Sequence, residues 1–213
     1  MPLNARGLTF GYTRDTPILR GLSLTVEPGE SVSVMAPSGA GKSTLLALLG
    51  GLLQPWEGEV ELTVGADGAA RTLVAWVFQR PRLMTHRTAL DNVTIAALAQ
   101  GYDRREAEAR ARTALGEFGV AALAGRRARH ISGGEAQRVA LARAAVASPA
   151  LVLADEPTAN LDRTSADAVA ATLLRGYRRS AVVMVTHDPR IAAAATRQLE
   201  LIGGDLVPME TNP

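Results

Sequence analysis

The chain has 213 residues, enough for one domain with a sizeable core, and its lack of cysteine excludes a disulfide scaffold and a thiolate metal site. Its 23 Lys+Arg against 21 Asp+Glu leave a formal charge of only +2, so nucleic acid is not an expected partner, and the short arginine runs read as solvated faces. The longest apolar run, Leu45 to Leu53, falls far short of the roughly 20 residues a membrane span needs, and no apolar leader segment follows Met1–Arg6, so any work at a membrane requires a partner that crosses it.

Leu3–Tyr12 and Ile18–Val26 predict short strands around a turn at Thr13–Pro17, and Glu27–Glu30 predicts a second turn. Ser31–Met35 reads as a buried strand entering a Gly-rich loop, and Lys42–Leu53 as the helix after it, broken by Gln54–Gly58. Glu59–Val64 and Arg71–Phe78 predict two strands with a turn at Gly65–Ala70 between them. Strand signals then vanish. A helical pattern runs from about Thr88 to Phe118, and another from about Gly133 to Ala147. Apolar strands return at Leu151–Ala154 and Ala181–Thr186, each followed by a helical stretch, and the tail from Pro208 looks loose. Strands alternating with helices imply an α/β core around a mostly parallel sheet, with a helical block inserted in it.

Lys42 is the only lysine; the other 22 basic residues are arginine. It lies in Ala36-Pro37-Ser38-Gly39-Ala40-Gly41-Lys42-Ser43-Thr44, between a strand and a helix, which is the P-loop arrangement. A compact ammonium fits between such a loop and bound phosphates where a planar guanidinium is too wide. Backbone N–H groups and the helix N-terminus are expected to cradle the phosphates, Lys42 to reach the β/γ-phosphates, and the Ser43 hydroxyl to bind Mg²⁺. Ala36 replaces the first glycine of the motif and fits only if its φ stays negative.

Leu151–Ala154 ends in Asp155-Glu156. With a phosphate loop upstream, Asp155 is placed to reach the Mg²⁺ shell and Glu156 to polarise a water for attack on the γ-phosphate. Farther back, Ile131-Ser132-Gly133-Gly134-Glu135 reads as a helix start with a capping box, but two glycines in a first helical turn cost stability unless a ligand must come close. The bare N–H groups there make a second anion site, 90 residues after Lys42.

These residues together resemble the ATP-binding cassette (ABC) family of transporter ATPases, in the family's order and over essentially the whole chain. Ala36–Thr44 resembles the Walker A loop, Leu151–Glu156 the Walker B strand, and Ile131–Glu135 the signature motif, with isoleucine where leucine is usual. Gln79 is similar to the Q-loop glutamine that links Mg²⁺ to the membrane partner, Ala159–Asp162 to the D-loop, His187 to the switch histidine that contacts the γ-phosphate, and Tyr12 to the aromatic that stacks on adenine. The resemblance implies a P-loop NTPase core (about 1–80 and 148–213), a small antiparallel β subdomain and a helical subdomain (about 81–147). It implies ATP and Mg²⁺ as ligands, and a head-to-tail pair of cassettes in which Ser132, Gly133, Gly134, Glu135 and Asp162 serve the partner's nucleotide.

Separate membrane permease subunits are then expected to dock a coupling helix on Gln79 and the segment that follows it, Arg80 to Val93, with the chain peripheral on the cytoplasmic face of the cell membrane. The subgroup that the motifs most resemble is that of lipoprotein release and macrolide export. An ABC ATPase that regulates a membrane partner mechanically, as in cell division, remains the alternative. A cassette acting on DNA or ribosomes lacks its usual tandem repeat or coiled coil here, and the signature stretch and His187 argue against a P-loop kinase.

Overall fold

The computed structural model describes residues 3–13, 15–62 and 72–209. In chain order, β1 (Leu3–Phe10) and β2 (Leu19–Val26) precede β3 (Ser31–Met35) and α1 (Lys42–Leu49), followed by β4 (Glu57–Glu61) and β5 (Thr72–Val77). The helices α2 (Ala89–Ala99), α3 (Arg104–Glu117) and α4 (Gly133–Ala145) come next. Then follow β6 (Pro149–Asp155), α5 (Arg163–Gly176), β7 (Ala181–Thr186), a short α6 (Pro189–Ala192), β8 (Arg197–Ile202) and β9 (Asp205–Pro208).

Two sheets result. The smaller is antiparallel, in the order β2-β1-β4. The larger runs β5-β6-β7-β3-β8-β9 and is parallel except for β9, which turns back along β8. β6 and β7 are buried on both faces, and their apolar runs reflect it. Leu151, Leu153, Val183 and Val185 pack toward Leu45, Leu46 and Leu49 of α1 and toward Leu3 and Leu22 of the small sheet. Val152, Ala154, Val182 and Met184 face the other way, into a core shared with α4 and α5. Because β3, β6 and β7 are parallel neighbours, with Met35 opposite Thr186 and Asp155 opposite Val185, their C-terminal ends open side by side.

The helical block divides where capping residues dictate. Thr88 caps α2 through a capping box with Asp91, and Asp103 caps α3, so the helical pattern expected over Thr88–Phe118 is two helices. Small residues line their contact: Ala89 and Ala97 on α2 share a core with Ala107, Ala111 and Ala114 on α3. The loop before α2 is fastened by fully buried Asn92. Its Oδ1 accepts the Met84 N–H at 2.7 Å, and its Nδ2 donates to the carbonyls of Met84 and Thr88 at 3.1 and 2.9 Å.

Three expected elements come out differently. α1 stops at Leu49, short of Leu53, because Gly51 turns left-handed (φ +71°) and the Gly51 and Leu52 N–H groups bond back to the Leu48 and Ala47 carbonyls at 3.0 and 2.8 Å. The strand expected at Glu59–Val64 starts earlier, at Glu57, where it pairs with Thr9 of β1. The helical stretch expected after β7 is only the four residues of α6. The chain then forms the unforeseen hairpin of β8 and β9, in which Leu199 and Leu201 point inward and Gly203-Gly204 makes a two-residue turn with both φ positive. β9 keeps Pro208 paired, so the tail that looked loose is anchored to that point. The expected turn at Gly65–Ala70, part of the turn at Thr13–Pro17 and the last four residues lie outside the described residues.

Candidate active site

The loop from Ala36 to Gly41 leaves β3 and enters α1 with Pro37, Ser38 and Gly39 exposed. Ala36 is buried and is not among the residues with positive φ, so alanine meets the condition set for it. Gly41 adopts φ +102°, and a Cβ there would lie 2.6 Å from Ile18 Cγ2, so both conformation and space demand glycine. Gly41 caps α1 without a side-chain hydrogen bond. The first-turn N–H groups are therefore left for another acceptor, the condition for an anion site.

Lys42 folds back over this loop. Its Nζ donates to the carbonyl oxygens of Ala36 at 2.7 Å and Pro37 at 3.1 Å, and lies 3.8 Å from Glu156 Oε1. Next to it, Ser43 Oγ donates to Asp155 Oδ2 at 3.0 Å, bringing together the two oxygen ligands expected for a hard divalent cation. Thr44 Oγ1 and the Tyr12 hydroxyl are 3.2 Å apart. The Tyr12 ring meets Phe10 edge-on, with centroids 5.5 Å apart, and is otherwise 69% exposed, leaving a free aromatic face beside the loop.

Glu156 is the hub. Its backbone sits at φ +46°, a left-handed conformation that a side chain rarely adopts and that functional residues often do. Its N–H donates to the Val185 carbonyl at 3.0 Å, which fixes the turn after β6 against β7. The carboxylate then spans an ammonium and an imidazole: Oε1 faces Lys42, and Oε2 lies 2.8 Å from His187 Nδ1. Glu156 is largely shielded (side chain 14% exposed), whereas His187 is 66% exposed.

A second cluster forms around the starts of α4 and α5. The Ser132 N–H donates to Glu135 Oε2 at 2.7 Å, and the Glu135 N–H donates to Ser132 Oγ at 3.3 Å, completing the expected capping box. The Ser132 N–H holds the Glu135 carboxyl below its ordinary pKa. Asp162 caps α5 by accepting the Ser165 N–H at 3.0 Å, and hydrogen bonding from Ser165 holds its carboxyl low as well. The two glycines have a reason inside the chain. A Cβ on Gly134 would lie 2.9 Å from Ser165 Cβ, and one on Gly133 would lie 3.3 Å from Leu161 Cδ2. Close packing of α4 on α5 requires the first of these; no external ligand is needed to explain it.

The sequence-predicted residues thus fall into two groups. Tyr12, Lys42, Ser43, Thr44, Asp155, Glu156 and His187 converge at the ends of β3, β6 and β7. Ser132–Glu135 and Asp162 sit together on the second cluster, and among the described residues no hydrogen bond or ion pair joins the two groups. Gln79 stands apart on an exposed loop after β5. Gln137 was not anticipated. It is buried in α4, and its Nε2 donates to the Phe78 carbonyl at 2.9 Å, tying the helix that begins at Ser132 to the residue before Gln79. Its signal was a polar residue on the buried stripe Gly134, Gln137, Leu141, Ala144.

Residues 19–159 match the family model described as ABC transporter. The chain belongs to that family. It is 45% identical to the lipoprotein-releasing system ATP-binding protein LolD of Cereibacter sphaeroides, over 94% of this chain and 96% of the relative. It is 36% identical to the uncharacterised ABC transporter ATP-binding protein YvrO of Bacillus subtilis, over 91% of this chain and 89% of the relative. Among solved structures, the dimeric bacterial ABC transporter cassette MJ0796 superposes with a TM-score of 0.79 at 31% identity, covering 96% of each chain. The same cassette in a dimeric post-hydrolysis state, bound to ADP and Pi, gives 0.77 at 30% identity. The architecture is that of a P-loop NTPase, and the chain is an ATP-binding, ATP-hydrolysing subunit of an ABC transporter.

Proposed function

We propose that two copies of this chain, or this chain and a related cassette, close head to tail around ATP and drive separate permease subunits. The observation that carries this reading is the convergence of Lys42, Glu156 and His187 beside the Ser43–Asp155 pair. Lys42 and the bare N–H groups at the start of α1 hold the phosphates, and the exposed face of Tyr12 receives the adenine. Glu156 accepts a proton from the attacking water while His187, bonded to the same carboxylate, orients it. The donor set of Ser43 Oγ and the Asp155 carboxylate suits Mg²⁺, with Gln79 the remaining candidate ligand on the loop after β5. When bound, the ion would neutralise charge on the phosphate oxygens during transfer.

The Ser132 end of α4 and Asp162 make no bond to this chain's own phosphate loop, which supports their assignment to a partner's nucleotide. The dimeric state of the MJ0796 cassette supports the same arrangement. Among the described residues no helix is long and apolar enough to cross a membrane, so the permease subunits supply the span, and the chain lies against the inner face of the membrane through them. The LolD relatives favour lipoprotein release as the transported class. The test is a pair of variants. The Glu156→Gln chain is expected to elute as a dimer in ATP and Mg²⁺. Adding Ser132→Arg is expected to return it to a monomer that still binds ATP. A stable ATP-dependent dimer in the double variant overturns the head-to-tail arrangement.

A further inference from the structure

Three of the chain's eight aromatic residues meet at one edge of the candidate site. Phe10 lies between the other two. Its ring centroid is 5.5 Å from that of Tyr12, met edge-on, and 5.8 Å from that of Trp56, tilted by 39°. Phe10 is buried, whereas Tyr12 and Trp56 remain exposed.

Tyr12 is fixed at its backbone, its ring and its tip. The backbone follows Gly11, where a Cβ would lie 2.4 Å from the Thr16 carbonyl oxygen and 2.9 Å from Trp56 Cη2, so the chain runs as close to that indole as glycine permits. The ring is met by Phe10. The hydroxyl lies 3.2 Å from Oγ1 of Thr44, a buried residue in the first turn of α1. The supports are themselves held. The Trp56 N–H donates to the Thr9 carbonyl at 2.8 Å, just where β4 begins to pair with β1, and the Ile18 N–H donates to the Phe10 carbonyl at 2.7 Å.

We propose that Trp56, Phe10 and Thr44 are positioning residues that hold the Tyr12 ring ready for the adenine before nucleotide arrives, a proposal that rests on the adenine-stacking reading of Tyr12 above. An unsupported tyrosine after a strand end must be ordered when a base stacks on it, and ordering one free side chain weakens binding by roughly two- to tenfold. Here the ordering is completed in folding. Thr44 adds a link to the phosphate side. A hydroxyl both donates and accepts, so Thr44 can hold the Tyr12 oxygen and still offer its other function to a phosphate. The tip of the aromatic platform is thereby tied to the helix that starts at the phosphate loop. Tyr12→Phe keeps the aromatic face and loses that tie. Because these supports act on the base, they favour a nucleotide over a bare polyphosphate.

The test is calorimetry on the full chain with ADP and with pyrophosphate, each with Mg²⁺. Tyr12→Phe and Trp56→Ala are each expected to weaken ADP by about threefold or more while pyrophosphate affinity stays close to the parent's. Trp56→Phe, which keeps an aromatic ring against Phe10, should retain more than half of the parent's ADP affinity. Thr44→Val combined with Tyr12→Phe should weaken ADP no more than the stronger single change, since both remove the same bond. Parental ADP affinity in Tyr12→Phe overturns the proposal, and that result stands even where Trp56→Ala lowers the Tm, because Tyr12→Phe removes one oxygen from an exposed side chain. Equal losses of ADP and pyrophosphate affinity in Trp56→Ala also overturn it, since the indole would then support the loop as a whole. Tyr12→Ala separates the two readings. If it weakens ADP but spares pyrophosphate while Tyr12→Phe and Trp56→Ala match the parent, Tyr12 remains the adenine platform and the positioning residues fall. Parental ADP affinity in Tyr12→Ala overturns the stacking reading and this proposal with it.

Discussion

The Glu156 carboxylate lies between two nitrogen groups from different parts of the chain, with Oε2 2.8 Å from His187 Nδ1 and Oε1 3.8 Å from Lys42 Nζ. The phosphate loop and the turn after β7 are therefore coupled through one side chain. That side chain is held on a left-handed backbone, so its position is set by the β6–β7 junction and not by its own preference.

Glu156→Gln keeps the shape of the hub and removes its basicity. ATP binding is expected to persist within a few-fold, while steady-state phosphate release falls by about 10²–10⁴-fold, the usual weight of a general base. Coupled-enzyme turnover and calorimetric ATP binding on the same preparation check this. Near-parental turnover would remove Glu156 from the chemistry.

Lys42→Arg conserves charge and changes width. Nζ reaches two carbonyls at 2.7 and 3.1 Å from within a tight loop, a spacing a guanidinium cannot share with phosphate oxygens. Nucleotide affinity is expected to drop at least tenfold with the Tm of the chain little altered. Binding of a fluorescent ATP analogue at parental affinity sinks the size argument.

Gly134→Ala places a methyl 2.9 Å from Ser165 Cβ. Overpacking of this kind costs about 1–3 kcal/mol, so the Tm should fall, and Ser165→Gly in the same chain should recover most of the loss. A fall that Ser165→Gly leaves untouched would show that the glycine serves something other than α4–α5 packing.

The capping box at α4 makes a pH prediction. The Ser132 N–H lowers the Glu135 carboxyl below 4.5, so folding binds the ionised form more tightly. That contribution is complete above 4.5 and is lost as pH falls through the folded value. Glu135→Gln keeps an acceptor but no charge. Its deficit at pH 7, about 0.3–1 kcal/mol for an anion in a first helical turn, should narrow as the pH is lowered past 4.5. Thermal melts of both proteins from pH 7 to pH 3 test it, and a constant gap counts against a charge effect.

What could be read in the sequence depended on how local its cause was. β7 was predicted at its observed bounds, Ala181–Thr186, because a strand buried on both faces is an unbroken apolar run. The phosphate loop was equally plain, since its glycines, Lys42 and Ser43 are adjacent in the chain. The packing constraint on Gly134 could not be read locally because its source, Ser165, lies 31 residues away and only packing brings them together. Gln137 and Asn92 were passed over for a similar reason: each satisfies backbone groups of a loop that the local pattern does not show beside it. The β8–β9 hairpin did carry a signal, Leu199 and Leu201 alternating before Gly203-Gly204, but it was hidden behind the expectation of another helix.

The bonds from Lys42 to Ala36 and Pro37 also limit what a nucleotide can gain. An ammonium has three N–H donors, and two of them already have carbonyl acceptors inside the loop. One donor is left for a phosphate oxygen, and any further contact there is an exchange of partners with a correspondingly modest net gain. The same exchange works in reverse: as phosphate leaves, the loop's carbonyls are at hand to reclaim the charge. Lys42 thus has acceptors on the loop to return to whenever phosphate leaves, which suits a subunit that must bind and release nucleotide in every cycle.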